Sequence, residues 1–190
     1  MKSSYFSVLL IALQILLVGN ACAEKADSDK NIEIAAIKSE DDDLKGIKTF
    51  TGNVVLTQGT LIMKGTKLVI TTTPDGWQFG TMYAPNGGLA TMRQKRDGGP
   101  DLWMEGEAAD RITWDQKTSV AILYTSAKVR RITGVKPTDE AEGAYLSYNS
   151  QTEIVTGANS ESGESKTGDG RVKVTIQPKN HSDTPAAKAQ

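Results

Sequence analysis

Cysteine is almost absent from this chain, and so is histidine. Its 190 residues hold one cysteine, Cys22, and one histidine, His181. A single cysteine closes no disulfide within the chain. One histidine near the C-terminus leaves no Ser-His nucleophilic triad and little from which to build a zinc or iron centre. Phosphate-cradling Gly-Lys-Ser and Gly-x-Gly-x-x-Gly arrangements ahead of a helix are missing too. Charge of one sign does not dominate, since 22 basic residues stand against 23 acidic ones. That balance argues against a nucleic-acid partner, which would call for a basic face. Beyond the N-terminus no window of a dozen residues carries a helical period.

The one long apolar run is N-terminal. Lys2 is followed by an apolar stretch over 5–18, broken only by Ser7 and Gln14, and then by Ala21-Cys22-Ala23. A basic start, a short apolar core and a small-x-small step are the marks of a secretory signal. The core is short for a spanning helix, and polar sequence follows it at once. Residues 1–23 therefore read as a signal peptide cleaved after Ala23. The competing reading acylates Cys22, although Gly19 stands where such a site usually has an aliphatic residue. Residues 24–177 read as one domain. Within it, 24–31 is polar and reads as mobile. The tail over 178–190 is Pro, Ala, Lys and Ser with almost nothing apolar, and reads as disordered.

What is abundant is alternation. Residues 49–71, TFTGNVVLTQGTLIMKGTKLVIT, alternate apolar and polar side chains, with glycines at 52, 59 and 65. The pattern predicts three short strands joined by tight turns. Further strands are predicted at 32–34, 77–83, 89–93, 102–105, 111–114, 119–124, 127–132, 144–148, 153–155 and 172–176. Turn chemistry such as Pro74-Asp75-Gly76 and Pro85-Asn86-Gly87-Gly88 separates them. The fold class is all-β. A loose repeat relates 65–70, 109–114 and 143–148, each with a small residue followed by apolar side chains two apart. Its uneven spacing excludes a strict solenoid and suits a curved sandwich or jelly roll.

Candidates for chemistry are thin. The acidic run over 39–45 lacks the alternate ligands, glycine and distal glutamate of a calcium loop, and reads as a solvated turn. Glu105, Glu107 and Asp110 offer carboxylates, but 23 acidic residues produce such clusters by chance. No catalytic residue, metal site or cofactor is expected. Trp77, Trp103 and Trp114, with Tyr83, Tyr124, Tyr145 and Tyr148, suit either core and rim packing or a sugar-stacking surface. Lys128, Arg130 and Arg131 suit either a solvated outer face or contact with phosphate or carboxylate at a groove mouth.

Parity within strands assigns an inner face. It groups Ile32 with Ile34, Phe50 with Val54 and Leu56, Leu61 with Met63, and Leu68 with Ile70. It also groups Ile112 with Trp114, Val120 with Ile122, Ala127 with Val129, and Leu146 with Tyr148. Such a face either packs as core or offers a continuous apolar surface to a ligand.

Phe50-Thr51-Gly52-Asn53-Val54-Val55-Leu56-Thr57-Gln58-Gly59-Thr60 resembles the central signature of the OstA-like family of periplasmic lipopolysaccharide transport proteins. The likeness continues through 109–114, 120–129 and 143–148, and so covers about 31–156. Thr125-Ser126 stands where the signature's Gly-Asn step recurs, and 135–141 looks like an inserted loop. The resemblance implies a curved, partly open β-jelly roll, a V-shaped two-sheet sandwich. Its groove would hold the acyl chains of lipopolysaccharide, with the inner-face residues above as contacts. It implies head-to-tail homo-oligomers in the periplasm, linking an inner-membrane export complex to an outer-membrane receptor by edge-strand pairing. It implies no reaction, the energy coming from an ATPase at the inner membrane. Two other classes stay open from the residues alone: a carbohydrate-binding or adhesion module, and a carboxylate-based hydrolase. The segments 32–34 and 172–176 are the expected pairing edges.

Overall fold

The computed structural model describes residues 27–165, 167, 168 and 170–178. The signal peptide expected over 1–23, His181 and all but the first residue of the expected tail lie outside the described residues. The strands are β1 (Ile32–Ala35), β2 (Lys38–Asp42), β3 (Ile47–Gln58), β4 (Leu61–Thr72), β5 (Gln78–Tyr83), β6 (Ala90–Lys95), β7 (Leu102–Ala108), β8 (Arg111–Asp115), β9 (Val120–Thr133), β10 (Lys136–Asn149), β11 (Ile154–Ala158) and β12 (Lys173–Ile176). Every pairing between them is antiparallel.

The long strands β3, β4, β9 and β10 each serve two walls. The front wall runs β2, β3 (47–51), β4 (67–72), β5, β8, β9 (120–124), β10 (145–149), β11. The back wall runs β1, β3 (54–58), β4 (61–65), β6, β7, β9 (127–133), β10 (136–143), β12. Each time the chain crosses between walls it does so on the same side, which forms a line of bends. The hairpin turns of both walls lie on the other side. The result is a two-sheet jelly roll closed along the bends and parted at the turns.

The bends explain where the sequence reading of 49–71 goes wrong. That segment forms two strands with a single turn at Gly59 and Thr60, not three strands. Gly52 (φ 84°) and Asn53 (φ 47°) take the left-handed region inside β3, where they insert two residues opposite the one extra residue of β4. Such a bulge turns a strand without ending it. Thr125 (φ 65°) and Ser126 (φ 49°) do the same in β9, opposite β10. The separate strands expected at 119–124 and 127–132 are therefore one. The loop expected over 135–141 is the first half of β10. All three sequence repeats begin where the chain enters the front wall.

Two polar segments are also more ordered than expected. Lys38–Asp42 is an edge strand and not a loop, with Asp41 paired to Lys48 and Asp42 2.7 Å from Lys45. Asp27, expected to be mobile, is buried. It accepts the Thr60 backbone N–H at 2.8 Å and a Gln94 Nε2–H at 3.2 Å. Short-range pattern does not reveal such ties, because their partners lie 33 and 67 residues away.

Between the walls lies one apolar core, with Leu56, Met82, Met104, Ile112, Leu123 and Leu146 fully buried. The walls touch near the bends. A Cβ on Gly106 of the back wall would lie 2.8 Å from Leu123 of the front wall and 2.8 Å from Met92.

Candidate functional site

Towards the turns the walls part around a cavity of about 270 Å³. Leu61, Met63, Met92 and Gln94 line it from the back wall. Trp114, Ala121 and Tyr148 line it from the front wall, with Gln116, Ser119, Ser150 and Gln151 at the rim. A second cavity of about 170 Å³ opens at the C-terminal end between Val129, Arg131 and Ala141 on one side and Leu146, Val155 and Gly157 on the other. Val172 and Val174 edge it. Both lie along the stack of strands in the groove that the parted walls leave.

Most of the expected inner-face residues do point between the walls. Val54, Leu56, Leu61, Met63, Leu68, Ile70, Ile112, Ala127, Val129, Leu146 and Tyr148 are buried in the core. Ile32, Ile34, Phe50 and Trp114 are half-buried against it. The assignment of Val120 and Ile122 is corrected. They are half-buried on the outer side of the front wall with Phe79, Thr81 and Thr113, and it is Ala121 and Leu123 that point in. Val120 and Ile122 are bulkier than Ala121, so hydrophobicity alone chose the wrong parity. The two-residue bulge at 125 and 126 conserves parity across the bend, so the inward Ala127 and Val129 fix 121 and 123 as inward also.

Cavities separate packing from exposure. Of the expected residues, Leu61, Met63, Trp114 and Tyr148 line the larger cavity, and Val129 and Leu146 the smaller. Val54, Leu56, Leu68, Ile70 and Ile112 line neither and act as core.

The three tryptophans do not make a common platform. Trp77 sits in the β4–β5 turn, with the Lys117 ammonium 5.9 Å from its ring. Trp103 lies on the outer back wall, with Arg93 stacked 4.2 Å from its ring centre. Trp114 points into the groove. Tyr124 and Tyr145 meet edge-to-face, with ring centres 5.6 Å apart. Burial, and then the neighbouring Tyr124, hold the Tyr145 phenol above its ordinary pKa. Lys128 and Arg130 belong to the outer back wall. There Lys128 lies 2.7 Å from Glu142 and Arg130 2.9 Å from Glu107. Among the described residues no cluster of three or more His, Cys, Asp or Glu is placed to hold a metal ion.

A family model described as LptA/(LptD N-terminal domain) LPS transport protein matches residues 33–154. The lipopolysaccharide export system protein LptA of Escherichia coli K12 is 34% identical over 133 residues, covering 69% of this chain and 70% of the relative. LptA of Haemophilus influenzae is 26% identical over 149 residues, covering 78% of this chain and 82% of the relative. The chain belongs to the LptA family of lipopolysaccharide transport proteins. Its fold matches the crystal structure of LptH, the LptA homologue of Pseudomonas aeruginosa, with a TM-score of 0.68 at 23% identity, over 80% of this chain and 99% of that one. Members of the LptA family are transport proteins, so the hydrolase alternative falls away.

Several inward residues of this family member escaped the sequence reading. Met82, Met92 and Met104 are buried and inward, and Met92 lines the larger cavity. Their signal was present, since Gly80 and Met82, Ala90 and Met92, and Met104 and Gly106 keep a period of two. Arg96 carried no signal because it lies beyond β6, and Glu153, expected to open a strand over 153–155, sits in the turn before β11.

Proposed function

We propose that this protein carries the acyl chains of lipopolysaccharide in the groove between its two walls, across the periplasm, as one section of a bridge from the inner to the outer membrane. The observation that carries this reading is the largely apolar inner face, with cavities between walls that part at the turn side. Exposing an acyl chain to water costs about 0.8 kcal/mol per methylene, so a chain of about ten costs roughly 8 kcal/mol. A multiply acylated lipid therefore crosses an aqueous compartment only against an apolar surface. Export by a cleaved N-terminal signal, with residues 24–177 as the mature domain, fits this role.

The back wall supports assembly into a bridge. Among the described residues its terminal strands β1 and β12 each pair on one side only, with β3 and β10. β1 presents Ile32 and Ile34 on the groove side and Glu33 outside. β12 presents Val174 and Ile176, 60% and 75% exposed, on the groove side, and Lys173 outside. A strand of one copy added to the edge of the next extends the apolar lining and brings opposite charges together. This contact is heterologous, so it propagates. The same edges suit the inner-membrane export complex and the outer-membrane receptor.

Photo-reactive amino acids at Met63 and Val129 test the groove. Both should crosslink to lipopolysaccharide, and one at Ile122 should not. Crosslinks confined to Ile122, or none at Met63 and Val129 with the protein folded, would sink this reading.

A further inference from the structure

Three side chains bridge the parted side of the groove. Arg96 leaves the β6–β7 loop of the back wall and pairs with the Glu153 carboxylate on the β10–β11 turn of the front wall. Arg131, pointing inward from β9 of the back wall, donates an Nη2–H to the Glu153 carbonyl at 3.0 Å. Its Nη1 is also 3.6 Å from Asp139. Glu153 is held at φ 55°, a left-handed conformation that a glutamate rarely adopts, so the surrounding turn imposes its aim. The Arg96 side chain is only 15% exposed.

The bridge is short of acceptors. The Nε atoms of both Arg96 and Arg131 are buried and meet no hydrogen-bond acceptor among the described residues. Each guanidinium carries five N–H donors in a planar fork, and the Glu153 carboxylate and carbonyl, with the Asp139 carboxylate 3.6 Å from Arg131, leave both Nε–H groups unmet. A phosphate monoester in place of that glutamate carboxylate offers three terminal oxygens against two and up to two charges against one, and so reaches more of these donors. Arg131 lines the smaller cavity beside Val129 and Leu146, with Asp139 and Glu140 also on its lining. A lipid with its chains between the walls must keep its headgroup at the parted side, where these arginines lie.

Size gives the bridge a second meaning. A water molecule takes about 30 Å³ of liquid and a methylene is of similar size, so the 270 Å³ cavity holds about nine such groups. Several acyl chains need the walls further apart, and Arg96 with Glu153 ties the walls together.

We propose that Arg96 and Arg131 form a binding site for the phosphate of a phosphorylated, acylated lipid, a site that Glu153 occupies in this structure. Phosphate replaces Glu153 on the arginines, and the exchange releases the tie between the walls as the chains enter. The proposal rests on the groove being the acyl-binding surface.

The test compares bis-phosphorylated lipid A with dephosphorylated lipid A carrying the same chains, on the full chain and its variants. Glu153→Gln should bind the phosphorylated lipid several-fold more tightly. The double variant Arg96→Gln, Arg131→Gln should bind it at least ten-fold more weakly, and Arg96→Lys, Arg131→Lys should recover part of the loss. Dephosphorylated lipid should bind none of the variants more weakly than the parent protein, because each Gln variant loses the tie between the walls without losing a contact to that lipid. Circular dichroism and melting confirm that each variant is folded. Unchanged binding of the phosphorylated lipid by the double Gln variant, or an equal loss of both lipids, overturns the proposal. Inorganic phosphate alone should stabilise Glu153→Gln less than the phosphorylated lipid does, and equal stabilisation would assign the site to free phosphate and overturn the headgroup assignment. Crosslinking of dephosphorylated lipid at Met63 reads the groove by itself, so failure there is failure of the transport reading and not of the phosphate site.

Discussion

At the scale of single residues, the strictest demands fall where the two walls bend into each other. Gly65 lies in β4 at the crossing, and a Cβ there would sit 2.4 Å from the Tyr83 carbonyl oxygen and 2.8 Å from Met82. Tyr83 is hydrogen-bonded between β4 and β8 and cannot retreat cheaply. Gly65→Ala should therefore destabilise by about 1–3 kcal/mol, the usual range for overpacking. Chemical denaturation reads it, and an unchanged midpoint would show that the crossing has slack. The alternation in 49–71 made Gly65 visible as an interruption. It could not say whether the interruption ends a strand or bends one, because both break the same short-range pattern. Arg131 shows the same gap. It sits in a basic triplet whose two other members lie on the outer back wall, and only its inward position separates it from them.

At the scale of elements, the two bulged pairs β3–β4 and β9–β10 share one construction. Each has two residues of positive φ on one strand opposite a single extra residue on the other. Gly-Asn does this in the first pair, and Thr-Ser does it in the second despite the greater steric cost. The outer back wall carries alternating charges across neighbouring strands, and Lys128 with Glu142 is one cross-strand pair in it. The Lys128 hydrogen bond, and then its charge, hold the Glu142 carboxyl below its ordinary value of 4.5. The Glu142 hydrogen bond holds the Lys128 ammonium above its ordinary 10.5, against a smaller opposing effect of burial. A lowered carboxylate stabilises the fold above its unfolded pKa, and the gain is lost as pH falls through the folded value. A raised ammonium stabilises below its unfolded pKa, and its gain is lost as pH rises through the folded value. A double-mutant cycle of Lys128→Ala and Glu142→Ala should thus show coupling at pH 7 and none at pH 2. Equal coupling at both would mean that packing of the side-chain stems, not charge, links the two strands.

At the scale of the whole molecule, the proposed role depends on edges as well as on the groove. Ile34→Asp places a charge on the groove side of β1, where a second copy would dock. It should weaken self-association and capture by the inner-membrane complex about ten-fold or more, read by analytical ultracentrifugation and pull-down. Unchanged association with the fold intact would move the docking surface away from β1. The sequence by itself determined the all-β class and the apolar inner face over most strands, since a period of two is a local property of the chain, while the family entered through the resemblance of the motif over 50–60. Only the tertiary structure decided which strands cross between walls and which side of 120–124 faces in. It alone tied Asp27 to Thr60 and Gln94, and set Glu153 on Arg96 across 57 residues of chain. Those features depend on distant segments meeting, and neither alternation nor composition records which segments meet.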